Sequence, residues 1–300
     1  MDAKKKNDIC KELELSSKKT LDPASREIRI LEEGQAGKIA FKYNTSIHDI
    51  YTEALKRGIS PYRYIRNQNS ISIDDQLKLA ESRVAVIGAG GLGGHLITLL
   101  ARVGIGHLVI VDHDVYDETN LNRQTLSNSD VLGRSKSEEA VSAISSINPG
   151  VEVSAHKLKI DQLNAGKLLK GCDVVVDALD NIPDRFILEK VAQKLRIPLV
   201  HGAVAGFEGQ VTTIFPDDPG LRNIYGRDRK NKLSKDAPES ILGVPALTPA
   251  VIATFQAMEA VKIITGKEPT FRNKLAYIDL ENGDINKFHF KSFLSKRDFT

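Results

Sequence analysis

The stretch Arg83–Asp114, RVAVIGAGGLGGHLITLLARVGIGHLVIVDHD, decides how the chain is read. It opens on Val84, Ala85, Val86 and Ile87, an apolar run too short for a helix and ended by Gly88, which predicts a buried parallel strand. Gly88, Gly90 and Gly93 then follow the G-x-G-x-x-G spacing, with Gly91 inside it. In that pattern the first glycine permits a tight turn, the second lets backbone approach phosphate, and the third lets the helix pack closely on the strand. The helix that follows would offer unpaired N–H groups and the positive end of its dipole to an anion. A second apolar strand, LVIVD, closes on Asp112, whose carboxylate can take ribose hydroxyls. The unit predicts a bound nucleotide. The glycines leave NAD and ATP both open, as they do a purely structural packing of helix on sheet.

Composition narrows the class. With 300 residues, 41% hydrophobic and 27% charged, the chain has material for one large α/β domain plus an appendage. The net charge of +3 is mild, and no block of Lys and Arg interleaved with aromatics makes nucleic acid a leading partner. Cys10 and Cys172 are too few for a disulfide framework and form no C-x-x-C pair for zinc or redox work, so a cytoplasmic setting is expected. No apolar signal core follows MDAKKKNDIC, and the longest apolar stretches are broken by Arg102 and His107 short of a membrane span.

Upstream of Arg83, residues 1–61 read as a small N-terminal appendage, with Gly34 and Gly37 as breaks and Lys4–Lys6 as a solvated tail. Within it SIHDIYTEALKRGI sets Ile47, Ile50, Tyr51 and Leu55 on one helical face, stopped by Gly58. Ser72 with Asp75 resembles a capping box before a stripe of Ile73, Leu77 and Ala80. Downstream, a polar loop leads into a helix that starts near Ser135 and stops before Pro149 and Gly150. VEVSAHKL, LNAGKLLKG, CDVVVDAL, a helix from Pro183 to Arg196 and PLVHGA continue the alternation of a doubly wound, Rossmann-like, mostly parallel sheet. GQVTTIF adds an antiparallel strand, residues 216–243 read as a long mobile loop, LTPAVIATFQAMEAVKIITG as an apolar helix, and KLAYIDL with INKFHF as a terminal hairpin. The expected organisation is an appendage over 1–61 and an ATP-binding domain over 62–300.

Asp112, Asp114, Asn120, Asn122, Arg123, Gln124 and Lys136 crowd behind the second strand, at the edge where doubly wound sheets hold ligands. A nicotinamide dinucleotide needs helix N–H groups and one acid, whereas a triphosphate that loses pyrophosphate asks for added positive charge at the leaving group. Arg123 can grip phosphate with a planar fork and Lys136 supplies a point charge; both could instead be surface cations. Asp180, after the strand VVVDAL, would stand at the same edge, where a hard cation bridging phosphate oxygens wants oxygen ligands; Asp180 or Asp177 could instead cap the next helix.

Gly88-x-Gly90-Gly91-x-Gly93, VDHDVYDETNLNRQ, GRSK, VVDALDN and GFEGQ, in this order, resemble the ThiF/MoeB/HesA family of adenylyltransferases, related to ubiquitin-activating enzymes. The resemblance runs from about Tyr62 to the C-terminus. It implies ATP and Mg2+ as cofactors and adenylation of the C-terminal glycine carboxylate of a small ubiquitin-like sulfur-carrier protein ending in Gly-Gly. It also implies that Asp112 holds the ribose, that Asn120, Arg123 and Lys136 hold the phosphates, that Asp180 serves the metal and the attacking carboxylate, and that Arg66 reaches across a homodimer interface; Arg63 could be structural. Many relatives carry two C-x-x-C pairs for a structural zinc, and some a cysteine that forms an adduct; with no cysteine after Cys172, neither is expected here. Three other readings stay open: an NAD-dependent oxidoreductase, a relative activating a small molecule, a peptide or a modified tRNA nucleoside, and a non-catalytic scaffold that binds nucleotide.

Overall fold

The computed structural model describes residues 3–67, 69–226 and 238–290. The first part builds its own small sheet: α1 (Ala3–Ser16), β1 (Lys18–Leu21), β2 (Glu27–Leu31), α2 (Glu33–Lys42), α3 (Ile47–Leu55) and β3 (Ile59–Pro61). The strands lie in the order β1-β2-β3, the first pair antiparallel and the second parallel. Ile9, Leu13, Leu31, Ile39, Ile50 and Ile59 fill a core of their own under this sheet. α3 is the helix expected from its periodicity, and Ser46 caps it by accepting from the Asp49 N–H.

The rest of this part departs from the expectation. Lys4–Lys6 lie in α1, not in a loose tail, because Ile9 and Leu13 one and two turns on are fully buried. Gly34 and Gly37 are inside α2, where burial of Ala36, Ile39 and Ala40 outweighs the helix cost of glycine, about 1 kcal/mol each. The junction to the main sheet is tied by polar contacts: Arg63 Nη1 donates to the Ile147 carbonyl at 2.8 Å, and Asn148 Nδ2 to the Tyr64 hydroxyl at 2.8 Å.

The main body follows in alternation: α4 (Ile73–Glu81), β4 (Arg83–Ile87), α5 (Gly91–Val103), β5 (His107–Val111), α6 (Lys136–Ile147), β6 (Glu152–His156), α7 (Ala165–Leu169), β7 (Val174–Asp177), α8 (Ile182–Lys194) and β8 (Leu199–Ala205). Then come β9 (Glu208–Ile214), the short helices α9 (Arg222–Tyr225) and α10 (Pro238–Leu242), the long α11 (Leu247–Thr265), β10 (Lys274–Asp279) and β11 (Asp284–His289). α9 and α10 occupy the two ends of the stretch read as a loop; its centre, 227–237, lies outside the described residues. On α4, Ser72 caps as expected, but Gln76, Leu79 and Ala80 form the buried face, not Ile73 and Leu77.

The eight strands order as β11-β10-β9-β8-β7-β4-β5-β6. β6, β5, β4, β7 and β8 are parallel, and β9, β10 and β11 add antiparallel. Successive residues of β4 explain its unbroken apolar run: Val84 and Val86 enter the core under α5 and α11, Ala85 and Ile87 the opposite core under α7 and α8. From β4 the chain winds outward through β5 and β6, then returns to lay β7 on the other side of β4. That reversal opens a crevice at the carboxyl ends of β4, β5 and β7. α11 is 19 residues long and apolar enough to cross a membrane, against the expectation that no stretch would be, but half of that window is buried, packed on α5 and the sheet.

Candidate active site

The crevice holds a cavity of about 290 Å3. Its floor is the turn between β4 and α5. Gly88 has φ 98°, and a Cβ there would meet the Ala178 carbonyl oxygen at 2.5 Å; a Cβ at Gly93 would lie 1.9 Å from the Gly88 carbonyl oxygen. Both glycines are therefore required by the protein itself. Gly90 and Gly91 differ: the nearest atoms to an added Cβ are 3.6 Å away in each, and both residues line the cavity. No side chain caps α5 at Gly90, so the first N–H groups of the helix open toward the cavity.

Asp112, at the end of β5, is 9% exposed and uses both oxygens on backbone: Oδ2 accepts from the Ala89 N–H at 2.6 Å and Oδ1 from Asp114 N–H at 2.8 Å. Burial pushes its carboxyl above the usual range, and these two N–H groups oppose the shift. It thus shapes the glycine turn as well as facing the cavity, where its remaining lone pairs are available to a ribose.

Lys136 is the first residue of α6, 6% exposed, with Ser135 capping the helix in front of it. Its Nζ meets Asp114 Oδ2 at 3.1 Å, and it lines the cavity. Burial argues against a surface cation. A lysine at a helix N-terminus also opposes the helix dipole, an arrangement that an incoming anion would relieve. Arg123 is partly exposed at the cavity wall; its Nη1 donates to the Thr119 carbonyl at 3.0 Å and to Asn122 Oδ1 at 2.9 Å, and the rest of its fork makes no hydrogen bond among the described residues. Asn120 lines the cavity too, with Oδ1 engaged by the Asp117 N–H at 3.1 Å in a capping box and Nδ2 making only a 3.5 Å contact with Thr119. Gln124 is buried against the same wall, its Oε1 without a hydrogen-bond partner among the described residues.

Asp180 is exposed in the turn after β7, lining the cavity, and accepts one hydrogen bond from Asn181 Nδ2 at 3.2 Å. The cap of α8 belongs to Asn181, which accepts from the Asp184 N–H at 3.0 Å, so neither Asp180 nor Asp177 takes that role. Asp177 is fully buried beside His201. Arg66 is exposed and is not among the residues lining the cavity of its own chain; Arg63 is committed to Ile147 and Glu33. Sequence reading passed over Lys159, Arg185 and Pro249, which also line the cavity. Arg185 carried one faint signal, its place in the first turn of the helix after DALDN.

Residues 64–296 match the ThiF family. The chain belongs to it. Among its relatives, the SAMP-activating enzyme E1 of Haloferax volcanii is 38% identical over 219 residues, covering 72% of this chain and 80% of that protein. The probable adenylyltransferase/sulfurtransferase MoeZ of Mycobacterium tuberculosis is 36% identical over 214 residues, covering 70% of this chain but only 54% of MoeZ, so the chain spans about half of that relative's length. In fold it resembles the crystal structure of E. coli MccB with MccA-N7isoASN, TM-score 0.67 at 23% identity over 77% of this chain and 73% of that one. This ThiF-family chain is an adenylyltransferase that uses ATP. That sets aside the NAD-dependent reading, which left Arg123, Lys136 and Asp180 without a task.

Proposed function

We propose that this enzyme uses ATP to adenylate the C-terminal glycine carboxylate of a small ubiquitin-like sulfur-carrier protein, releasing pyrophosphate. The observation that carries the reading is the buried Lys136 at the rim of a cavity that also holds the open N-terminus of α5, Arg123 and Asp180. The relatives, a SAMP-activating enzyme and an adenylyltransferase/sulfurtransferase, support a protein acceptor. Tail binding would suit the part of the cavity between Asp180, Val204 and Pro249. Residues 62–300 act as the ATP-binding unit in this reading, 1–61 as a separate appendage, and the setting is cytoplasmic.

Chemically, a carboxylate oxygen forms a bond to the α-phosphorus while the bond from that phosphorus to pyrophosphate breaks, the electron pair leaving with pyrophosphate. No general base is needed, because a C-terminal carboxyl with a pKa of about 3.5 is already ionised at neutral pH. The chain's contribution is alignment and charge: α5 N–H groups and Asn120 hold phosphate oxygens, while Arg123 and Lys136 meet the charge that grows on the leaving group. The donor set fits Mg2+, since Asp180 presents an exposed carboxylate carrying a single hydrogen bond, and such ions take one or two carboxylates plus phosphate oxygens. When bound, Mg2+ would neutralise phosphate charge. Arg66, outside its own cavity, is read as completing the site of a second copy in a homodimer.

The test is acceptor-dependent ATP–pyrophosphate exchange with candidate carrier proteins ending in Gly-Gly. Exchange that requires the intact tail is the expected result. Exchange driven equally well by a tailless carrier or by a free small carboxylic acid would overturn the protein-acceptor reading.

A further inference from the structure

Behind the cavity lies a buried polar cluster with no part in the chemistry above. Tyr225 Oη, at the end of α9, receives Arg185 Nη1 at 2.9 Å and Gln210 Nε2 at 2.7 Å, and lies 3.0 Å from His201 Nε2. His201 Nδ1 lies 2.7 Å from Asp177 Oδ2, both residues having no exposure. The protons can be assigned. Arginine and the glutamine amide can only donate here, so they fill both lone pairs of the hydroxyl. The tyrosine proton must then go to His201 Nε2, which leaves the imidazole neutral with its proton on Nδ1, donated to Asp177. Burial favours this state, holding the His201 imidazole below its ordinary range and the Tyr225 hydroxyl above its own. Asp177 and Arg185 balance each other in charge.

The cluster grips the turn that carries Asp180. Leu179 N–H donates to Asp177 Oδ1 at 2.9 Å, and the Leu179 carbonyl accepts from Arg185 Nη2 at 2.6 Å. Both backbone groups of the residue before Asp180 are thus bonded to side chains of the cluster, while the Asp180 carboxylate itself bonds Asn181 among the described residues. Arg185 depends on Tyr225 in turn: among the described residues its Nε has no hydrogen-bond partner, with Asp177 Oδ2 at 3.7 Å, so its bonds there are to Leu179 and Tyr225, over whose ring it also lies at 5.8 Å.

We propose that Tyr225 is a positioning residue for adenylation, acting through Arg185 and the His201–Asp177 pair to fix the Leu179–Asp180 turn that lines the nucleotide cavity. Only the kinetic part of its test rests on the adenylation reading. Tyr225→Phe keeps the ring and removes the hydroxyl that three side chains share. In the ligand-free protein, amide hydrogen exchange over residues 177–181 speeds up about tenfold, while exchange in β4 and β5 is unchanged. In ATP–pyrophosphate exchange, kcat falls about tenfold with the ATP KM within about twofold, and in an Asp180→Asn background the same change costs less than about twofold. Equal costs in the two backgrounds, or unaltered amide exchange at 177–181, would overturn the proposal. A wild type inactive with every carrier would count against the adenylation reading alone, and the amide measurement would still decide this one. His201→Gln, which breaks the link between Tyr225 and Asp177, serves if Tyr225→Phe does not fold, with the same direction expected in both measurements and the same results overturning it.

Discussion

Lys136→Met separates a functional cation from a structural one. In the free protein the lysine's ion-pair partner among the described residues is Asp114 at 3.1 Å, and that carboxylate side chain is 49% exposed. Removing the ammonium returns Asp114 to water and takes one favourable charge from buried Asp112, which keeps its two backbone N–H bonds, and methionine refills the space along the buried stem. A pair with one solvated member contributes little, so stability should change by about 1 kcal/mol or less, in either direction. Activity should respond on another scale. Loss of a preorganised charge beside a developing anion in a water-poor cavity costs about 3 kcal/mol, or roughly a hundredfold or more in rate. The assay is carrier-dependent ATP–pyrophosphate exchange at saturating ATP, run beside a urea melt. Exchange within about threefold of wild type would refute the reasoning. So would a stability loss of about 3 kcal/mol or more, because Lys136 would then be holding the fold.

Four further outcomes follow from the same geometry. Gly93→Ala should destabilise the protein by about 3 kcal/mol or more, since its Cβ would press on the Gly88 carbonyl, whereas Gly90→Ala should fold normally and lose affinity for ATP; equal melting temperatures for the two would contradict this. Mixing Arg66→Ala with Arg123→Ala subunits, each inactive alone, should restore part of the exchange activity if Arg66 works across a dimer, and no recovery despite demonstrated subunit exchange would place it elsewhere. His201 is held below its ordinary 6.5 by burial, so the unfolded chain takes the proton first; stability should fall as pH drops below about 6.5, by up to ~1.4 kcal/mol per unit, and His201→Gln should flatten that slope in pH-dependent melts. Cys10→Ser with Cys172→Ser should keep adenylation, because Cys172 is buried with its thiol pushed up by that burial, and Cys10 lies far along the chain beside Arg57; loss of activity in a folded double variant, or a thiol-sensitive adduct with the carrier, would show that cysteine takes part.

How far the sequence could be read depended on whether a residue's reason was local. β4, α5 and β5 were legible because burial on both sheet faces leaves an unbroken apolar run, and because Gly93 is demanded by the Gly88 carbonyl five residues before it, although Gly88 itself answers to Ala178 on a distant turn. α2 was not, since its two glycines are carried by packing of Ala36, Ile39 and Ala40 against segments distant in sequence. The same division runs through the site. NLNRQ and GRSK could be placed because they follow directly on β5, while Arg185, His201 and Tyr225 come from α8, β8 and α9 and share a purpose only once the sheet brings those elements together.

Lys136 shows what a local reading can still extract from such a site. It follows a Ser cap and stands at the first position of a helix, where the macrodipole favours an acid, and GRSKSEE does place Glu138 and Glu139 in that first turn. A chain optimised only for folding would have an acid at 136 as well and would leave no cation to bury. The lysine contradicts its own helix and is nonetheless withdrawn from solvent, with a half-exposed aspartate as its partner. A local rule broken with so little local return is where a binding requirement is to be sought. Here the cavity beside it supplies one, because a polyphosphate would bring further negative charge to an ammonium whose partner is half solvated and to the N-terminus of α6.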